Sequence, residues 1–153
     1  MKQSPFKQEG MSPGETTKEL FRRFAAKDAP EKIAALFSEN VDWYVAGDTE
    51  VVPWIGRKTG RVGVADFWRQ IEEHLDNQHF TISDFLSKGS RVVVIGELES
   101  KLRATGRLIP TESVFDLQVV EEEITRFRMF EDTHAVAQAF VGSESKPPQS
   151  STN

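Results

Sequence analysis

The sequence predicts an α+β fold, in which a curved, mostly antiparallel sheet wraps around three helices and a short helix closes the chain. Three observations carry this reading. Helix start signals stand at Ser12-Pro13 and Asp28-Ala29-Pro30, in the N-terminal third. Val64, Phe67, Trp68, Ile71 and Leu75 then recur at helical spacing. From Phe80 onward strand alternation takes over, broken by turn residues at Lys88-Gly89-Ser90, Thr105-Gly106 and Glu121–Glu123.

Each element has a local reason. Ser12-Pro13-Gly14-Glu15 is a capping box with proline at the first helical position. The helix that follows places Leu20, Phe21 and Phe24 on one side. Asp28-Ala29-Pro30-Glu31 repeats the signal and opens a second helix that buries Ile33, Leu36 and Phe37 and ends at Asn40. Val41–Val45 reads as a strand, and Gly47 to Gly60 as a loop carrying Pro53-Trp54. Arg61–Leu75 is the third helix. Strands follow over Phe80–Leu86, Arg91–Arg103, Ile109–Val119 and Ile124–Glu131, before a helix with Ala135, Val136, Ala139 and Phe140. In the long strand Val92, Val94, Gly96, Leu98, Ser100 and Leu102 share one face. Ser113, Phe115, Leu117 and Val119, then Thr125, Phe127 and Met129, continue it on the next two strands. A curved sheet covered by helices leaves a conical hollow between the layers.

At 153 residues the chain is one domain with room for a core, placed from Ser12 to Val141. Polar residues 1–11 and the Ser/Pro-rich stretch 142–153 read as disordered tails. The net charge of −5 argues against non-specific nucleic-acid binding. No apolar run has membrane-spanning length, and the N-terminus lacks an apolar signal region, so a cytoplasmic location is expected. The absence of cysteine removes disulfides, thiol nucleophiles and thiolate metal sites. His74, His79 and His134 share no metal-ligand spacing, so no metal or other cofactor is expected.

Trp43, Trp54 and Trp68 are the chain's three tryptophans, and all fall within Val41–Ile71. They line a hollow or fill a core. With the two-helix start, the runs Val41-Asp42-Trp43, Pro53-Trp54-x-Gly56, Gly63-Val64-x-x-Phe67-Trp68 and Ile124 to Asp132 resemble the nuclear transport factor 2-like superfamily, in its SnoaL-like (polyketide-cyclase-like) branch. The resemblance spans about residues 15–141 and implies a cone-shaped barrel. That fold hosts isomerases, cyclases, epoxide hydrolases, dehydratases and non-catalytic binders, so it does not assign a reaction.

Carried over position by position, the resemblance implies apolar residues where relatives keep catalytic groups. The base of ketosteroid isomerase falls on Val45, and its two oxyanion donors fall on Leu20 and Phe115. The acid and histidine of the SnoaL-type cyclases fall on Met129 and Phe115. The last-strand acid of limonene epoxide hydrolase also falls on Met129, and its Arg-x-Asp pair near Leu98 and Ser100. The pocket implied is walled by Trp43, Phe67, Trp68, Ile71, Leu98, Phe115, Phe127 and Met129, with Trp54 over its mouth. Ser100, Thr111 and Ser113 supply polar groups, and the occupant is a small apolar or aromatic molecule.

Catalytic candidates are then confined to the rim. Asp48 and Glu50 are solvated loop acids or general acids at the mouth. Asp132 caps the closing helix or stands at the entrance. His74 edges the apolar stripe of the third helix. Arg57, Lys58 and Arg61 form a solvated turn or an anion site. Glu97 and Glu99 face outward. Val93, Ile95, Val114 and Phe130, interspersed with charges, suit a homodimer interface on the outer sheet face. Three functions remain open: a small-molecule binder with a non-standard site, a non-catalytic dimeric interaction module, and an isomerase, hydrolase or dehydratase that uses a rim acid.

Overall fold

Ser12 starts the first helix by the mechanism read from the sequence. In the computed structural model, which describes residues 10–144, its hydroxyl accepts from the Glu15 amide at 3.0 Å and its own amide donates to Glu15 Oε1 at 2.9 Å. The elements are α1 (Pro13–Ala25), α2 (Pro30–Ala34), β1 (Phe37–Val45), β2 (Gly56–Thr59), α3 (Gly60–His74), β3 (Leu75–Lys88), β4 (Arg91–Leu102), β5 (Leu108–Val120), β6 (Glu123–Glu131) and α4 (Thr133–Glu144). Of the proposed tails, 1–11 and 142–153, residues 1–9 and 145–153 lie outside the described residues.

The strands form one strongly curled six-stranded sheet in the order β2-β1-β6-β5-β4-β3. All neighbours are antiparallel except β1 and β6, which run parallel. Helices α1 and α3 fill the concave side. The alternation read for β4 holds, with Val92, Val94, Gly96, Leu98, Ser100 and Leu102 all buried. At the start of β6 the register shifts between Gln118 and Val119, so Ile124 joins the inner face and Thr125 does not.

Five boundaries differ from the sequence reading. Ala29, not Asp28, is the N-cap of α2, with no side-chain cap, and the helix ends at Ala34. Leu36 and Phe37 are buried as expected, but Phe37–Asn40 already belong to β1, which is parallel to β6 from Phe37 opposite Ile124. The loop 47–60 contains β2, because Gly56–Thr59 turns back to pair with Asp42–Val45. Strand β3 follows α3 directly at Leu75 and is twice the expected length. Helix α4 runs on to Glu144, through residues assigned to the tail. None of the described helices is long and apolar enough to cross a membrane.

Candidate functional site

Helix α3 turns Phe67 and Ile71 toward the sheet, and both are buried there. Opposite them the inner faces of β4, β5 and β6 present Leu98, Ser100, Thr111, Ser113, Phe115, Phe127 and Met129. Packing between the two layers is incomplete and leaves two adjoining hollows.

The first has a volume of about 420 Å³, its open side included. Val45, Trp54, Phe67, Leu98, Met129 and Val136 give it an apolar lining. Its polar groups are Gln78, Ser100, Thr111 and Glu131. Gln78 Nε2 donates to Ser100 Oγ at 2.8 Å. Thr111 Oγ1 donates to Glu131 Oε1 at 3.1 Å and lies 3.4 Å from Ser113 Oγ. The second hollow, about 450 Å³ measured the same way, is apolar except for Gln78 and Trp68 and is bounded by Leu20, Phe21, Phe24, Phe115 and Phe127. Phe67, Ile71, Gln78, Leu98 and Met129 line both.

Glu131 is the ionisable group inside. It ends β6 on the face shared by Phe127 and Met129, opposite Ser113 of β5. Burial pushes its carboxyl above the usual range, the Thr111 hydroxyl pulls it down, and the nearby charge of Asp132 raises it. Among the described residues no lysine or arginine forms an ion pair with it.

The sequence placed the family's last-strand acid on Met129 and read the wall there as apolar. Met129 does line both hollows, but period-2 alternation brings Glu131 to the same side two residues later. The alternation of β6 carries that signal in the sequence, at the last residue of the strand. Val45, Leu20 and Phe115 line the hollows as apolar residues.

The other candidates are distributed differently from the expectation. Trp43 belongs to the core and lines neither hollow. It is 1% exposed, stacked on Phe127 at 4.0 Å and 8°, with Phe67 against its edge at 4.8 Å. Trp54 lines the first hollow, its indole buried between His74, 5.3 Å away, and Phe140, 5.6 Å away. Trp68 lines the second hollow, and Ser100 and Thr111 line the first. Ser113 touches that polar group only through Thr111.

Asp48 and Glu50 are exposed and line neither hollow, since Asp48 Oδ1 accepts from the Glu50 amide in a local turn at 3.1 Å. Asp132 caps α4 by accepting from the Ala135 amide at 3.0 Å. His74 is half-buried, its Nδ1 3.1 Å from the Gln70 carbonyl, and lines neither hollow. The basic cluster is neutralised piecemeal: Arg57 by Asp42, Lys58 by Asp66, and Arg61 by Glu39 and Glu123. Among the described residues no three His, Cys, Asp or Glu side chains gather as metal ligands.

The family profile of the SnoaL-like domain matches residues 17–127. No curated protein matches the chain. Among solved structures, an NTF2-like protein of unknown function from Burkholderia pseudomallei superposes with a TM-score of 0.76 at 22% identity, over 85% of this chain and 98% of that one. TerC co-crystallised with polyporic acid gives 0.73 at 24% identity, over 85% and 99%. A protein with a ketosteroid isomerase-like fold from Catenulispora acidiphila, in complex with trimethylamine, gives 0.70 at 16% identity, over 90% and 100%.

Proposed function

The chain belongs to the SnoaL-like domain family, and we propose that the hollow beside Glu131 takes up a small neutral organic molecule and exchanges a proton with it. The observation that carries this is a carboxyl raised in pKa by burial, with no cationic partner among the described residues, in a hollow whose lining is mostly apolar. A carboxyl whose pKa is raised toward the working pH can both give and take a proton, which a general acid–base catalyst requires. Thr111 holds one carboxyl oxygen, which leaves the other for the ligand. Gln78 and Ser100 stand across the hollow as a hydrogen-bonded pair that can orient a polar atom. The chemistry that fits is proton abstraction and return at a carbon next to a carbonyl, as in isomerisation or elimination. The polyporic acid and trimethylamine held by two structural relatives support a cone of this kind as a place for small organic molecules.

The test needs no knowledge of the natural substrate. Deuterium exchange at the α-carbon of small aromatic and alicyclic ketones, followed by NMR, should be accelerated by the protein and slowed about 100-fold or more in Glu131→Gln. Exchange that is equally fast in the variant would overturn the assignment.

A second, compatible reading is supported on the outer sheet face. Ile95, Val114 and Phe130 form one cross-strand row there. Phe130 is 51% exposed. Arg91, Arg126 and Arg128 lie toward one end of this row's strands, and Glu97 and Glu112 toward the other. A two-fold axis along the row would set the basic end of one copy against the acidic end of the other, so we propose a homodimer through this face.

A further inference from the structure

A groove of about 560 Å³, its open side included, runs along the outside between the end of α1, α2, α3 and the start of β3. Its floor is apolar, with Phe24, Ile33, Trp68, Ile71 and Leu75, and its rim carries Lys27, Asp28, Glu72, Asp76 and Arg103. Only Phe24, Trp68, Ile71 and Gln78 line both this groove and the second hollow, so these four side chains are the partition between outside and inside. Ile71 and Gln78 also line the hollow that holds Glu131.

Two indole N–H groups among the described residues, Trp43 Nε1 and Trp68 Nε1, are buried and donate to no acceptor, and of the two only Trp68 belongs to a side chain that lines a hollow. The Trp68 ring is flanked by carbon, with the Phe24 ring tilted at 5.1 Å and the Phe67 ring edge-on at 5.0 Å. A buried N–H without a partner is uncommon and destabilising, and it becomes favourable when an acceptor is brought to it. The other polar group of the partition, Gln78, already has one N–H of its side-chain amide on Ser100.

We propose that the ligand lies across this partition, with an acceptor oxygen on Trp68 Nε1–H and its apolar body among Phe67, Ile71, Leu98 and Met129. The ligand class is a neutral, largely planar molecule bearing a carbonyl or ether oxygen. Neutrality follows from the rim, where Arg103 and Asp76 pair at 3.6 Å and cations and acids are nearly balanced. The inference rests on the hollow being a ligand site, and it does not depend on Glu131 moving a proton.

Two probes that differ only in the acceptor test it, 1-tetralone and its hydrocarbon tetralin. Wild-type protein should bind 1-tetralone about tenfold or more tightly. One tryptophan indole N–H resonance should move on adding 1-tetralone and stay in place with tetralin, and Trp43 and Trp54 serve as internal references. Trp68→Phe should abolish the preference and that resonance, and Glu50→Gln, at an exposed acid that lines neither hollow, should keep both; the deuterium exchange assigned to Glu131 is read separately, which separates this inference from the proton-transfer reading. Equal affinities in the wild type, an unmoved indole resonance, a preference retained in Trp68→Phe, or no binding of either probe would each overturn it. The resonance in the wild type decides the matter even if the variant folds poorly.

Discussion

Two carboxylates on adjacent strands of this sheet have opposite surroundings because they lie on opposite faces. Asp116 on β5 accepts from Arg91 at 2.9 and 2.7 Å and from Arg126 at 3.4 Å. The Arg91 hydrogen bonds are the largest influence and hold its pKa below the usual range. Glu131 has no cationic partner among the described residues, and burial raises it. The signs follow from which state binds more protons. Asp116 contributes stability that is present above its unfolded pKa and is lost as pH falls through the lower folded value. Glu131 does the reverse: folding is undisturbed below its unfolded pKa and weakens as pH rises from there toward its folded one. Asp116→Asn should therefore cost about 1–2 kcal/mol at neutral pH, between an exposed and a buried ion pair, with the difference shrinking in acid. Urea titrations at neutral and acidic pH would check this. Glu131→Gln should be at least as stable as wild type at neutral pH and lose its advantage near pH 4. A variant less stable than wild type at neutral pH would contradict a carboxyl destabilised by its surroundings.

Among the elements, legibility tracked how local the cause was. The capping box of α1 and the alternation of β4 depend on neighbours in sequence, and both were readable. Strand β2 was not, because Gly56–Thr59 is a strand only by pairing with β1. Phe37–Asn40 looked like the end of a helix because its strand partner lies more than 80 residues away, at Ile124. The same distinction applies to the site. Phe67, Ile71, Leu98 and Met129 follow from periodicity, whereas burial of Trp54 beneath α4 follows from a loop that folds back. Gly96 is where local sequence and global shape meet. A Cβ there would collide with the Thr81 carbonyl and stand 2.8 Å from the Phe80 ring. The register of β3 against β4 shifts just beyond, between Ile82 and Asp84. Gly96→Ala should thus strain the bend of the sheet and destabilise by about 1–3 kcal/mol, read as a lower denaturation midpoint. A midpoint equal to wild type would mean that β3 can move away without loss.

At the scale of the whole molecule, the concave and convex faces divide the work: one encloses, the other is free to pair. If the Ile95–Val114–Phe130 row is the dimer seam, Phe130→Asp should give a monomer by light scattering with the fold intact by circular dichroism. The wild type should remain dimeric at micromolar concentration, and high salt should weaken it, since Arg91, Glu97 and Glu112 are exposed. A monomeric wild type would remove the seam. The parallel pairing of β1 with β6 has a further consequence, in time rather than space. Trp43, Tyr44 and Val45 meet Phe127, Arg128 and Met129, the last strand to emerge during synthesis. Until then one long edge of β1 has no partner, and the stack of Trp43 on Phe127 cannot form. The first strand must wait on the growing chain as an exposed apolar edge, a state open to mispairing, so this fold completes only after β6 has left the ribosome.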